Sequence, residues 1–287
     1  KTSKNVLITG VSTGIGFELA KVFVANGFLV FGSVRKKEDA KKVGEELGNN
    51  FQPLIFDVTD HEAVDTAASA LYAKIKEEGL ACLINNAGIV VPVPLFDLSV
   101  DDFRHQFEVN VFGAIKVTQA FLPLLGASES RNFSPGKIIQ ISSVSGRIGM
   151  PFLSPYVGSK HALEGISDCL RRELLQFGID VIVIQPGPVE TPIWKKSEES
   201  PTAKYFEKSL FRRALEVFQH ELVPQATRRA YSADFVAETV FKIFSTPKPK
   251  TRYALVPQRF QNWTVHSILP ARFIDKIIGK KLKNLPR

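Results

Sequence analysis

Apolar and polar positions along this chain alternate in blocks rather than residue by residue. Seven short, largely apolar runs stand out: "NVLI" from Asn5, "FLVFGSV" from Phe28, "QPLIF" from Gln52, "ACLI" from Ala81, "GKIIQIS" from Gly136, "DVIVIQ" from Asp180 and "RYALV" from Arg252. Stretches with helical periodicity separate them, at 14–26, 36–47, 61–78, 101–125, 155–177 and 233–245. Runs that are apolar on both faces predict strands buried on both sides, as in a parallel sheet. Alternation with helices predicts right-handed βαβ units and an α/β, doubly wound parallel sheet. There is no internal repeat, so residues 1–259 read as one domain.

Two segments break this rhythm. Residues 191–229 mix charges, aromatics and prolines over a length too great for an ordinary connection, which predicts a substrate-binding insertion. Residues 260–287 form a C-terminal extension. In "ARFIDKIIGKKL", Phe273, Ile274, Ile277, Ile278 and Leu282 fall on one helical stripe, with Arg272, Lys276, Lys280 and Lys281 mostly off it. Packing on its own domain or on a second subunit is the expected use of that stripe. A peripheral membrane contact is the alternative.

Composition narrows the classes. The chain has 287 residues, 44% hydrophobic and 23% charged, which is ordinary for a globular protein. No apolar run approaches the roughly 20 residues needed to span a bilayer. The net charge of +8 favours anionic ligands. Its basic residues are not interleaved with aromatics as in a nucleic-acid motif, so no nucleic-acid partner is expected. Cys82 and Cys169 read as two buried thiols, which favours a reducing, cytoplasmic setting.

Candidate chemistry begins at "LITGVSTGIG", where Gly10, Gly14 and Gly16 lie between the first strand and the first helix. Glycines let backbone approach a pyrophosphate, and the N–H groups opening a helix stabilise its charge. The spacing is G-x-x-x-G-x-G, not the G-x-G-x-x-G of the dinucleotide fingerprint. In "SPYVGSK", Tyr156 and Lys160 are four apart, on one face of a helix. A phenol with a pKa of about 10 is a poor proton carrier at neutral pH, but a neighbouring ammonium favours its phenolate.

"TGVSTGIG", "NNAG" ending at Gly88 and "YVGSK", in that order, resemble the short-chain dehydrogenase/reductase family over about two-thirds of the chain. The resemblance implies a Rossmann-type sheet and oxidoreductase chemistry with a nicotinamide cofactor. It implies that Gly10, Ser12, Thr13, Gly14, Ile15 and Gly16 cradle that cofactor. Asp57 and Val58 would neighbour the adenine, and Asn86, Ala87 and Gly88 would line the site. Pro186, Gly187, Val189 and Thr191 would meet the nicotinamide carboxamide, with Tyr156 and Lys160 at the ribose end. At the end of the second strand, Val34 stands where NAD-binding members often carry Asp, and Arg35 follows. A guanidinium there grips the extra phosphate of NADP, so NADP(H) is the expected cofactor and NAD(H) the alternative. Thr13 stands where many NADP-preferring relatives carry a basic residue.

The resemblance also implies a catalytic set of Asn110, Ser143, Tyr156 and Lys160. Hydride transfer to a carbonyl creates an alkoxide that must be protonated, and a second donor must hold that oxygen. Family spacing selects Ser143, and it continues the face of Ile139 and Ile141. Ser142, Ser145, Ser154, Pro155 and Ser159 read as structural, as do His105 and His161. Asn110 is unfavourable inside a helix unless something uses it; its implied role is to hold a water leading to Lys160. Ile148, Met150, Phe152, Leu153, Ile193, Trp194, Tyr205 and Phe206 are the expected substrate walls. They suit a small hydrophobic alcohol or carbonyl. The segment from "KPKTRY" into the tail is similar to steroid and retinol dehydrogenases. The family commonly forms homodimers or homotetramers. A small-alcohol dehydrogenase and a non-catalytic nucleotide sensor are the competing readings.

Overall fold

The computed structural model describes residues 3–128, 130–193, 209–228, 230–257, 263 and 269–282. Seven strands form one sheet in the order β3-β2-β1-β4-β5-β6-β9. They are β1 (Asn5–Ile8), β2 (Leu29–Val34), β3 (Phe51–Ile55), β4 (Cys82–Asn85), β5 (Lys137–Ile141), β6 (Asp180–Pro186) and β9 (Arg252–Leu255). Every neighbouring pair is parallel. The doubly wound sheet expected from the blocks of apolar residues is therefore present.

Strand alternation sorts the core into two faces. Val6 and Ile8 of β1 join Val30, Ile84, Ile139, Ile182 and Ile184 in one buried cluster. That face is covered by α1 (Gly14–Ala25), α2 (Lys37–Leu47) and, further along the chain, a helix at Ala233–Phe244. Leu7, Phe31, Leu83, Ile138 and Val181 face the other way, under α3 (His61–Ile75) and α5 (Gly113–Phe121). Edge-to-face aromatic contacts lock the first layer, with Phe23 5.1 Å from Phe241 and 5.5 Å from Phe28.

The helix expected at 101–125 is not uniform. Ser99 caps α4 (Val100–Phe107) by accepting from the Asp102 N–H. A π turn, Glu108–Phe112, then leads into α5, which tightens into a 3-10 turn at Leu122–Leu125. The helix bearing Tyr156 is α6 (Ser154–Glu173), extended by a 3-10 turn to Phe177. Cys82 is buried in β4, as expected. Cys169 is exposed on α6, contrary to the expectation of two buried thiols, because it points away from the sheet that its helix covers.

The interrupting segment begins at a short strand, β7 (Val189–Glu190), which pairs in parallel with β8 (Tyr231–Ser232). Between them lie α7 (Arg212–Val217), a π turn at Phe218–Leu222 and α8 (Val223–Thr227). α9 (Ala233–Phe244) leads on to β9, and α10 (Ala271–Lys281) follows. The amphipathic stripe of α10 divides. Ile278 and Leu282 pack with Phe152, Leu153, Leu215 and Phe218, whereas Phe273 and Ile277 are exposed. No helix among the described residues is long and apolar enough to cross a membrane.

Candidate active site

The strand order reverses direction at β1, which has β2 on one side and β4 on the other. The loops leaving β1 and β4 therefore diverge at the carboxyl edge, where ligands of such sheets bind. Here they are stitched together. Thr9 Oγ1 accepts from the N–H groups of Asn86 (2.9 Å) and Ala87 (3.0 Å). Asn86 Nδ2 donates back to the carbonyls of Thr9 (2.9 Å) and Gly10 (3.1 Å). From the other side, Ser33 Oγ and its carbonyl both accept from Gly10 N–H at 3.1 Å.

This packing explains the glycines. Gly10 and Gly14 have φ of 72° and 63°, where a side chain is strained. A Cβ on Gly16 would lie 2.2 Å from the Gly10 carbonyl oxygen and 2.4 Å from Asn86 Nδ2. A Cβ on Gly14 would meet Thr191 Cγ2 at 3.2 Å, which places Thr191 against the glycine turn. Ser12 and Ile15 are half-buried, Thr13 is exposed at the start of α1, and the first turn of that helix carries no acidic side chain. An anion at that helix end thus meets backbone N–H groups with no competing carboxylate.

Arg35, at the end of β2, is exposed, with Nη1 3.8 Å from Asp57 Oδ2. Asp57 Oδ1 is held by the Thr59 N–H (3.0 Å) and hydroxyl (2.8 Å). Val58 is buried against Gly113, where a Cβ would come within 2.7 Å of it. Gly187 N–H donates to the Leu255 carbonyl (2.8 Å), and Pro186 and Val189 are buried beside it in β6 and β7.

The second half of the site is built on α6. Lys160 is buried, and its Nζ donates to the Ile141 carbonyl (2.8 Å) while lying 5.7 Å from the Tyr156 ring centroid. Burial lowers the Lys160 pKa to about 8, and the Glu164 carboxylate opposes that fall. Burial raises the Tyr156 pKa, and the Ser143 hydroxyl works against the rise. The ammonium expected to bring the phenol down thus holds its own proton less tightly than a solvated lysine. Ser143 also accepts from the Ser145 N–H (3.1 Å), capping the short turn at Val144–Gly146.

Asn110 sits in the π turn, a geometry often found at functional sites. Its Oδ1 accepts from Ile89 N–H (2.9 Å), and its Nδ2 donates to the Ile89 carbonyl (3.0 Å) and to Ser159 Oγ (3.1 Å). Both amide hydrogens are committed, so only the remaining Oδ1 lone pair could hold the expected water. Asn110 Oδ1 would be 3.3 Å from a Cβ on Gly88. A continuous line of contacts therefore runs from the glycine turn through residues 86–89 to Asn110, Ser159 and α6.

Of the expected substrate walls, Phe152, Leu153 and Ile193 gather with Val90, Leu215 and Phe218 beside Tyr156. Met150 is exposed and Ile148 half-buried outside that cluster. Trp194, Tyr205 and Phe206 lie outside the described residues. Sequence reasoning missed Thr9, Ser33, Glu164, Gln185 and Arg252. Glu164 was within reach, because it lies one turn beyond Lys160 on the same helical face. No signal marked Thr9 or Arg252, whose partners are distant in the chain. No group of residues suited to a metal ion occurs among the described residues.

Comparison with known proteins agrees with this geometry. The family model described as short chain dehydrogenase matches residues 4–202. An NADPH-dependent 3-dehydrocapnine reductase of Ornithobacterium rhinotracheale is 40% identical over 281 residues, 97% of each chain. Dehydrogenase/reductase SDR family member 9 of Bos taurus is 33% identical, covering 98% of this chain and 88% of its own. The crystal structure of a short-chain dehydrogenase from Streptomyces avermitilis superposes with a TM-score of 0.76 at 27% identity, covering both chains fully. Family model, relatives and fold agree, and the chain belongs to the short-chain dehydrogenase family of oxidoreductases.

Proposed function

We propose that this protein is an NADP(H)-dependent oxidoreductase that interconverts a hydrophobic alcohol and its ketone or aldehyde, with Tyr156 as proton donor and acceptor. The observation that carries the reading is the grouping of Tyr156, Lys160 and Ser143 at the carboxyl edge of the sheet, beside a glycine turn fixed from both neighbouring strands. The residues fit a dinucleotide. The turn is closed to any side chain at Gly16, the first turn of α1 carries no acidic side chain, and the exposed Arg35, 3.8 Å from Asp57, can pair with a ribose phosphate. The relative named for NADPH-dependent reduction supports the same cofactor.

The nicotinamide would supply or accept the hydride. For reduction, the Tyr156 hydroxyl gives its proton to the substrate oxygen. The Ser143 hydroxyl donates to that oxygen, and the Lys160 ammonium stabilises the phenolate left behind. Oxidation runs these transfers in reverse. Phe152, Leu153 and Ile193 offer apolar surface next to the phenol and little that would pair with a phosphorylated or sugar-like substrate.

A panel of long-chain, steroid, retinoid and aryl ketones, 3-dehydrocapnine included, assayed with NADPH and NADH, tests the reading. Tyr156→Phe should reduce turnover by about 10²–10⁴-fold, with NADPH binding retained. Unchanged turnover would refute the role of Tyr156, and no turnover of any carbonyl by the parent would refute the activity.

A further inference from the structure

Glu164 carries a carboxylate that the reaction scheme above does not use, and it is buried, with its side chain 6% exposed. A buried carboxylate is costly unless paired and hydrogen-bonded. Here both oxygens are engaged by different strands. Oε1 accepts from Gln185 Nε2 of β6 (2.9 Å), and Oε2 accepts from Arg252 Nε of β9 (2.8 Å). Arg252 is held in turn: Nη1 donates to Asp168 Oδ1 (2.9 Å) and Nη2 to the Glu164 carbonyl (3.2 Å). Asp168 also accepts from Arg171 (3.1 Å). The carboxylate is thereby fixed on the face of α6 that presents Lys160, one turn away.

Among the described residues, the elements packed around Lys160 bring few other charges towards it. On α6 it has Tyr156 and Glu164, with Asp168 a turn further on and turned to Arg252 and Arg171. β5 and the turn after it supply the Ile141 carbonyl and the hydroxyls of Ser142 and Ser143. β6 supplies the Gln185 amide and β9 the Arg252 guanidinium, both directed at Glu164. The π turn supplies the neutral amide of Asn110. The Ser142 hydroxyl is buried with no partner among the described residues, and a Cβ on Gly146 would lie 2.9 Å from both that oxygen and Glu164 Cγ, so the Glu164 side chain packs closely on the turn that carries Ser142 and Gly146.

We propose that Glu164 is a positioning residue for Lys160: its buried carboxylate, clamped by Gln185 and Arg252 one turn further along α6, keeps the ammonium charged beside Tyr156. The inference rests on the reading of Tyr156 and Lys160 given above. Burial drives Lys160 towards its neutral form, and Glu164 is the opposing charge. Without it, burial alone would favour the neutral amine, which could not stabilise a phenolate. The edge strand β9 then has a role in the chemistry as well as in the sheet, because Arg252 sets where that carboxylate sits.

The test follows Lys160 directly. Lysine Cε signals in the ¹³C-labelled protein are followed from pH 6 to 11, with Lys160 assigned by its loss in Lys160→Met. The parent should titrate at about 8. Glu164→Gln, which keeps the shape of the side chain, should lower that midpoint by about one pH unit or more, a tenfold change in the protonation constant. The alkaline limb of kcat/KM should fall with it. A midpoint that stays in place while activity drops equally at all pH values marks a merely structural role and overturns the proposal. If Glu164→Gln does not fold, Glu164→Asp takes its place. It keeps the charge but withdraws it by one methylene, and should also lower the midpoint; an unmoved or raised midpoint overturns the proposal. Because the titration needs no substrate, a shifted midpoint in a protein with no reductase activity would sink the catalytic reading and leave the Glu164–Lys160 relationship standing.

Discussion

Asn110 Nδ2 donates to Ser159 Oγ at 3.1 Å, joining the π turn in the long helix to the helix that carries Tyr156 and Lys160. Ser159 passes the connection on, since its hydroxyl donates to the Tyr156 carbonyl at 2.8 Å. Asn110→Ala removes the two hydrogen bonds to Ile89 as well, leaving the Ile89 N–H without its partner, while the Ile89 carbonyl keeps the Gln106 amide at 2.7 Å. Unfolding in urea should show a loss of about 2–3 kcal/mol, since the orphaned N–H costs about 1–3 kcal/mol and the bond to Ser159 is lost with it. Ser159→Ala removes a hydroxyl and orphans less, and should cost about 1 kcal/mol. Equal losses in the two variants would show that the Ile89 contacts contribute nothing.

Arg35 faces Asp57 across 3.8 Å, a separation at which an exposed pair contributes little to stability. Its guanidinium is therefore available to a ligand. Arg35→Asp should leave the melting temperature nearly unchanged and weaken NADPH binding by about 10–100-fold, the worth of one charge-assisted contact of about 1.5–3 kcal/mol. NADH binding, measured by the same fluorescence titration, should change much less. Matching losses for the two nucleotides would remove Arg35 from phosphate recognition.

Phe152 has φ of 65°, a region that a bulky side chain rarely enters. Its buried ring is held by Phe218 at 5.6 Å and Phe211 at 6.2 Å, so packing of the interrupting segment fixes a strained backbone just before the Tyr156 helix. Removing the ring in Phe152→Ala should cost about 3–5 kcal/mol. Phe152→Gly loses the same ring but occupies the backbone conformation freely, so it should be the more stable of the two by about 1 kcal/mol. Denaturant melts that place Ala above Gly would show that the backbone carries no strain at this position.

The elements that could be read from sequence are those whose cause is local. "NVLI" and "DVIVIQ" announce β1 and β6 because both faces of each strand are buried. Tyr156 and Lys160 could be paired because helical spacing alone sets them on one face. The π turn at Asn110 was not visible, because its register depends on Ile89 reaching the Asn110 amide from a loop 21 residues away. The glycine turn was legible as a cradle, but not the reason for Gly16, which is Asn86 arriving from β4. Arg252 illustrates the same limit: its partners Glu164 and Asp168 are 88 and 84 residues distant, and only the parallel addition of β9 beside β6 brings them together.

Asp168 gives the network around Arg252 a signature in acid. The guanidinium of Arg252, aided by Arg171, holds the Asp168 pKa at about 2, below its ordinary value of 3.8. In the unfolded chain that help is lost, so the folded state binds fewer protons than the unfolded one across this interval, and stability falls as the pH drops from 3.8 towards 2. Above 3.8 the contribution is complete, and below 2 it is gone. Because the Asp168 side chain is 30% exposed, solvent screening leaves it worth about 1 kcal/mol. Asp168→Asn should therefore be less stable than the parent by about that amount at pH 7, with the gap closing as the pH approaches 2. Urea midpoints at pH 7, 4, 3 and 2.5 read the difference, and a gap that stays constant across the series would mean that the carboxylate's charge plays no part in holding Arg252.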